Sequence, residues 1–224
     1  MLNILITGSN GQLGSALRRL GGVSPHNYFC TDVAELDITD AAAVLRTVEE
    51  RRIDVIVNCA AYTDVERAEE DEPRADLLNH KAAGNLAAAA KATGATLFHV
   101  STDYVFDGTA EVHTEDEPFS PLSVYGQTKA AGDIAVAGCP RHYIMRSSWV
   151  IGEGHNFVKT MKALSDRVAD PDDKLDKITV VDDQLGRLTF TRDMAEAIFH
   201  VLDAKAPYGT YDCTGSGAVQ SWAD

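Results

Sequence analysis

Near its start the chain runs without interruption from a short apolar stretch, Asn3-Ile4-Leu5-Ile6-Thr7, into Gly8-Ser9-Asn10-Gly11-Gln12-Leu13-Gly14 and then a helical pattern through Leu20. No other feature restricts the fold as much. Glycines at this spacing between a strand and a helix each have a physical reason to be there, since Gly8 permits a tight turn, Gly11 a close backbone approach to a diphosphate, and Gly14 helix-on-strand packing. The turn therefore predicts an open α/β fold that binds a dinucleotide across the strand ends. Asn10, Gln12 and Leu13 lie within it and are expected to touch the cofactor.

The rest of the chain keeps the same alternation. Apolar, β-branched stretches at about 2–6, 27–31, 53–59, 95–101 and 141–147 are separated by helical patterns, which predicts a Rossmann-type parallel sheet wound on both sides by helices. Asp40 is a plausible cap for a helix from about Ala41 to Arg52. Pro73 marks a break between a charged helix start, Glu66 to Arg74, and an Ala-rich helix to about Thr93. After Trp149 the pattern loosens. Ser165 to Lys177, with Asp170-Pro171-Asp172-Asp173, reads as a surface loop, Ile178 to Val181 as a further strand, and Thr191 to about Asp203 as an amphipathic helix. The expected organisation is a dinucleotide domain over 1–149 and a smaller, partial substrate lobe over 150–224, with 178–203 packing back on the first domain.

Candidate cofactor residues follow from strand ends. Asp32 stands eighteen residues after Gly14, close to where a carboxylate meets the adenosine ribose 2′-hydroxyl and disfavours a 2′-phosphate. Arg18 and Arg19 nearby leave NADPH open beside NADH. Asp37 and Ile38 are placed at the adenine, and the small Ala60 and Ala61, followed by Tyr62 and Thr63, let a cofactor lie against the end of the third strand. Asn79 either supports the reaction centre from behind or ties a helix to a strand.

The reaction centre is expected between Ser101 and Lys129. Ser101 and Thr102 close an apolar run and should emerge at the carboxyl end of a strand, while Tyr125 and Lys129 stand four apart at the head of a helical segment and share one face. A phenol beside a fixed ammonium is expected to have a lowered pKa and to pass a proton near neutral pH. Either signal alone is common by chance. Their order behind a dinucleotide turn gives them weight.

Composition excludes several classes. Twenty basic against thirty-four acidic residues give a net charge of −14, which disfavours nucleic acid and anionic membranes. No apolar run is long enough to span a bilayer and Met1 leads straight into a strand, so the expected address is cytoplasmic. Cys30, Cys59, Cys139 and Cys213 are widely separated, with no metal-ligand spacing, and read as reduced thiols. No metal is expected.

The set Gly8-x-x-Gly11-Gln12-Leu13-Gly14, Asn58-Cys59-Ala60-Ala61-Tyr62-Thr63, Ser101-Thr102-Asp103-Tyr104-Val105-Phe106-Asp107-Gly108, Tyr125-Gly126-x-x-Lys129 and Arg146-x-x-Trp149 resembles the dTDP-4-dehydrorhamnose reductases, a family of extended short-chain dehydrogenase/reductases. The tyrosine and lysine mark the superfamily; the Thr102 to Gly108 stretch together with Arg146-x-x-Trp149 is more specific. The resemblance implies reduction of a 4-keto nucleotide sugar by NADPH or NADH in dTDP-rhamnose biosynthesis. Thr102, Tyr125 and Lys129 would be catalytic: Tyr125 gives the proton, Lys129 binds the nicotinamide ribose and holds down the pKa of Tyr125, and Thr102 donates to the same substrate oxygen. Asp103, Tyr104 and Trp149 would join Thr102 and Tyr125 against the sugar, with Trp149 otherwise a core aromatic. Arg146 is equally a structural ion-pair partner. Other readings are a nucleotide-sugar epimerase or dehydratase of the same superfamily and a non-catalytic NADP-binding regulatory subunit. Family members extend well past the last residue here, so Trp222-Ala223-Asp224 is expected to open a helix of a truncated lobe. Some members dimerise through magnesium held by acidic residues, one of them on the first helix; Ser15 and Ala16 stand there instead, and a monomer or a metal-free homodimer is expected.

Overall fold

The computed structural model describes residues 1–154, 156–171 and 173–223. Its main sheet holds six parallel strands in the order β2-β1-β3-β4-β5-β9: β1 (Asn3–Thr7), β2 (Asn27–Thr31), β3 (Val55–Asn58), β4 (Thr96–Thr102), β5 (His142–Ser147) and, late in the chain, β9 (Gly209–Asp212). Strand order reverses at β1, where β2 leaves to one side and β3 to the other. Open parallel sheets bind ligands at such a point, beyond the strands' carboxyl ends.

Successive side chains of a strand face opposite sides. Leu5 therefore joins one core layer, with Ile56, Leu97 and Ile144, and its neighbours Ile4 and Ile6 join the other, with Val57, Phe98 and Met145. Helix α2 (Ala41–Glu50) and the alanine-rich α5 (Ala82–Thr93) cover the first layer through Val44, Val48 and Leu86. Helix α1 (Gln12–Gly21) covers the second through Leu13, Ala16 and Leu17, and α8 (Thr191–Asp203) adds Met194, Ala195 and Ile198 to it. Asp40 caps α2, its carboxylate accepting the N–H groups of Ala42 at 2.9 Å and Ala43 at 3.0 Å.

Between β3 and β4 the chain forms α3 (Val65–Glu70), α4 (Glu72–Asp76) with Pro73 in its first turn, and a wide π turn over Leu77–Lys81 that runs into α5. The continuous helix expected from 74 to 93 is thus interrupted. The π turn carries the buried Asn79, whose side chain accepts from Tyr62 N–H at 2.8 Å and donates to Tyr62 O and Thr128 Oγ1, each at 3.1 Å. A helix that bulges to feed such a side chain into a core has a local reason to depart from α geometry. Asn79 clamps the loop after β3 to α6 (Val124–Ala137).

The remaining elements make a small lobe. Strands β6 (Val150–Ile151) and β8 (Thr189–Phe190) pair in parallel, β7 (Leu185–Gly186) and β10 (Gln220–Ser221) pair antiparallel, and α7 (Phe157–Ala169) lies between. Three expectations need correction. Ile178 to Val181 forms no strand: its alternating exposure has no neighbouring backbone to pair with, and the sixth strand is Gly209–Asp212. Helix α7 takes the first part of the stretch expected as loop from Ser165, with Asp172 outside the described residues. Gln220–Ser221 is strand, Trp222 and Ala223 form a turn rather than an opening helix, and Asp224 lies outside the described residues.

Candidate active site

Gly8 leaves β1 with φ +64°, and a Cβ added there would sit 2.7 Å from the backbone nitrogen of Ala60 at the end of β3. The crevice at the sheet's reversal point is therefore too narrow for any side chain but hydrogen. A Cβ at Gly14 would run into the Gly8 carbonyl oxygen, so α1 packs directly on the turn. No side chain caps α1 at Gly11. Uncapped N–H groups and the positive end of the helix dipole are free to receive a diphosphate.

From this turn a cleft of about 940 Å³ crosses the strand ends. Such a volume lies near the upper end of small-molecule sites, roughly 300–1,000 Å³, and suits a dinucleotide with a second ligand. Gly8, Gly11, Gln12 and Leu13 line it together with Asp32, Asp37, Ile38, Ala60, Ala61 and Thr63. Thr102, Asp103, Tyr104, Tyr125, Lys129 and Trp149 line the same cleft. Asn10, Gly14 and Tyr62 are not in the lining. Asn10 donates its N–H to Asp32 Oδ2 at 3.2 Å and so orients that carboxylate, while Tyr62 borders a smaller adjoining pocket with Arg67 and Arg74. Asp37 accepts from the Thr39 N–H at 2.9 Å and hydroxyl at 2.7 Å, which hold its carboxyl below the usual range.

Thr102 ends β4, and its Oγ1 accepts the Tyr104 N–H at 3.2 Å while donating to Asp103 Oδ1 at 3.1 Å. Ser123 caps α6 by accepting Gly126 N–H at 3.1 Å. Gly126 lies against the Tyr104 carbonyl with no room for a Cβ, which seats the start of α6 on the turn after β4. Tyr125 is thereby brought over the cleft, edge-on to Tyr104 with ring centroids 5.6 Å apart. Burial pushes the Asp103 carboxyl up to about 6, against the opposing pull of the Thr102 hydroxyl.

The expectation of a more acidic phenol fails. Desolvation pushes the Tyr125 phenol above its ordinary value, only partly opposed by the Thr102 hydroxyl, and the nearby Asp103 carboxylate raises it further. Lys129 Nζ donates to the carbonyl oxygen of Val100 at 2.6 Å. Burial also lowers Lys129 to about 8.

Some neighbours of the site were not anticipated. Phe157 and Trp222 line the cleft beside Trp149, whose indole stacks on that of Trp222 with centroids 3.8 Å apart and planes 24° apart. Two tryptophans separated by most of the lobe's sequence give no local signal of meeting. Gln12 does more than line the turn, since its Oε1 accepts the Gly152 N–H at 2.8 Å and ties the lobe to α1. Arg146 is a buried ion-pair partner: its Nε donates to Asp133 Oδ2 at 3.2 Å and its guanidinium lies 5.2 Å from the Phe106 ring and 5.0 Å from that of Phe119. Among the described residues no group of His, Cys, Asp or Glu is placed to hold a metal ion, and no helix is long and apolar enough to cross a membrane.

A doubly wound sheet, a glycine turn at its reversal point, and a tyrosine and lysine one helical turn apart over the same cleft define the short-chain dehydrogenase/reductase class. Residues 2–224 match the family model described as the RmlD substrate binding domain, and the chain belongs to that family. It is 39% identical over 222 residues to a dTDP-4-dehydrorhamnose reductase of Mycolicibacterium smegmatis, the match covering 96% of this chain and 65% of that relative. The chain thus spans about two thirds of that protein's length. Among solved structures, a dTDP-4-dehydrorhamnose reductase of Clostridium acetobutylicum is 41% identical with a TM-score of 0.91, covering 99% of this chain and 76% of that one. One from Bacillus anthracis, in complex with NADP, is 36% identical with a TM-score of 0.89, covering 99% and 77%.

Proposed function

We propose that this chain carries the catalytic part of a reductase that converts dTDP-4-dehydro-L-rhamnose to dTDP-L-rhamnose with NADPH or NADH in the cytoplasm. One observation carries the reading: Thr102, Tyr125 and Lys129 line the same cleft as the Gly8 turn. The family membership and the NADP bound to the Bacillus relative support it. The residues present fit such a cofactor, since the turn leaves no side chain between α1 and the strand ends and its N–H groups are uncapped.

Bound NAD(P)H would supply the hydride to the C4 ketone of the sugar. The chain's own groups handle the proton. A phenol held above its ordinary pKa stays protonated at neutral pH, and Tyr125 can still give its proton to an alkoxide, which is a far stronger base. Lys129, fixed by the Val100 carbonyl, presents a cation at the floor of the cleft, where low dielectric strengthens its pull on ribose hydroxyls and on developing negative charge. The Thr102 hydroxyl lies beside the phenol and orients it. Asp103, Tyr104 and Trp149 supply polar and flat apolar surfaces for a pyranose.

The test is direct. Protein mixed with the 4-keto sugar and NADPH or NADH should consume the absorbance of reduced nicotinamide and yield dTDP-rhamnose. Dinucleotide binding without consumption would defeat the reading.

A further inference from the structure

Around Lys129 lies a group of buried polar side chains that the chemistry above leaves unused. Asp133 follows Lys129 by one turn of α6, and the two are 1% and 2% exposed. Of the Asp133 carboxylate, Oδ2 receives Arg146 Nε at 3.2 Å, while Oδ1 has no hydrogen-bond partner and lies 3.8 Å from His99 Nε2, which has none either. Ser101, which lines the cleft, presents its buried hydroxyl toward the Asp133 carboxyl and helps hold it down.

The His99 tautomer follows from its neighbours. Asn58 Oδ1 accepts the Thr7 hydroxyl at 2.7 Å and the Ala60 N–H at 3.2 Å, so the Asn58 amide turns its NH₂ to His99 Nδ1 at 3.0 Å. The ring proton then sits on Nε2, and burial holds the imidazole neutral. His99 contributes no charge. Cys59 at the end of β3 is held protonated by burial, with its thiol pushed up to about 12, and Tyr125 on the same helix is neutral. Asp212, at the end of β9, is an exposed carboxyl. The strong charges of the interior are therefore Lys129, Arg146 and Asp133, whose carboxyl burial pushes up against the opposing pull of Lys129 and Arg146; Asp103, beside Thr102 at the cleft, is the other carboxylate near the phenol.

An ammonium in such surroundings sheds its proton unless a carboxylate compensates it. We infer that Asp133 is a positioning residue for the reduction, a buried counter-charge that keeps Lys129 cationic and directed along the Val100 carbonyl toward the cleft. The inference rests on the proposed function. In the competing arrangement Asp133 serves Arg146 alone, as part of the packing around Phe106 and Phe119.

Dinucleotide binding separates the two, because it reads the Lys129 charge without needing the sugar. Titration of NADPH or NADH by fluorescence across pH should show wild-type affinity falling on the alkaline side as Lys129 loses its proton. In Asp133→Asn that fall should move to lower pH by about one unit or more, and Asp133→Glu should restore it. Arg146→Met keeps Asp133 but removes its other cation, so the fall should move to higher pH, which gives an independent reading if Asp133→Asn does not fold. An unmoved alkaline limb in a folded Asp133→Asn, or in Arg146→Met, overturns the inference and leaves the reductase reading standing. A wild-type protein that binds neither dinucleotide overturns both.

Discussion

The ammonium of Lys129 lies 2.6 Å from the carbonyl oxygen of Val100, the last but two residue of β4. A strand carbonyl is a rigid acceptor, so this contact fixes a flexible side chain at the floor of the cleft. Replacing Lys129 with Met should weaken NAD(P)H binding and lower turnover together, whereas Tyr125→Phe should lower turnover by about 10²–10⁴-fold with dinucleotide affinity largely kept. Equilibrium binding alongside steady-state kinetics checks both. Equal losses of binding in the two variants would contradict the division of labour.

Asp103 gives a pH signature of its own. A carboxyl raised from 3.8 to about 6 in the folded protein contributes stability that is present below its unfolded value and lost as pH rises through about 6. At neutral pH the ionised Asp103 is therefore a cost. Asp103→Asn keeps an oxygen to accept the Thr102 hydroxyl and should raise stability above pH 7 by about 2 kcal/mol, with the gain vanishing below about pH 4. Urea unfolding at the two extremes measures it; a gain of the same size at both would show that charge is not the cause.

Much of this architecture was legible in the sequence, because the strand ends and the glycine turn are local patterns. The five strands from Asn3–Thr7 to His142–Ser147 fall where apolar runs predict them. Gly209–Asp212 gives no such signal because an edge strand of four half-exposed residues has no apolar run, and only its register with Tyr143–Arg146 makes it a strand. Spacing placed Tyr125 and Lys129 on one face but could not say where the ammonium points. The Val100 carbonyl that captures it is brought there by the packing of α6 on β4, and burial, which no spacing reveals, pushes the phenol up rather than down.

Asp32 bears on cofactor choice. It lines the cleft, and its carboxylate is oriented by the Asn10 N–H at 3.2 Å rather than neutralised by an arginine. Of the two arginines near it, Arg18 donates to Asn10 Oδ1 at 3.5 Å and Arg19 pairs with Glu153 of the lobe. A fixed carboxylate repels a 2′-phosphate, so Asp32→Ala should shift the NADPH-to-NADH ratio of kcat/KM toward NADPH by about tenfold, equivalent to roughly 1.4 kcal/mol. An unchanged ratio would mean that Asp32 does not meet the adenosine ribose.

Trp149 occupies a conformation that a bulky residue avoids, with φ +41°. Holding it there costs about 1–3 kcal/mol, so the surroundings must compensate. They do so by three contacts: Thr189 donates its N–H to the Trp149 carbonyl at 3.1 Å, Trp222 stacks on the indole at 3.8 Å, and Gly186 beneath the ring leaves so little room that an added Cβ would lie 2.7 Å from the indole Cε2. The strain fixes a flat apolar surface in the cleft that Thr102 and Tyr125 also line, and the proposed function would rest the pyranose on it. Trp149→Ala should raise KM for the nucleotide sugar about tenfold, since an aromatic stacking contact contributes about 0.5–1.5 kcal/mol beyond simple burial, and NAD(P)H affinity should stay near wild type. Gly186→Ala should reproduce the rise in KM by displacing the indole without removing it. If Gly186→Ala leaves KM unchanged while crystallography shows the ring displaced, the indole's position does not govern sugar binding and Trp149 belongs to the packing of the lobe alone.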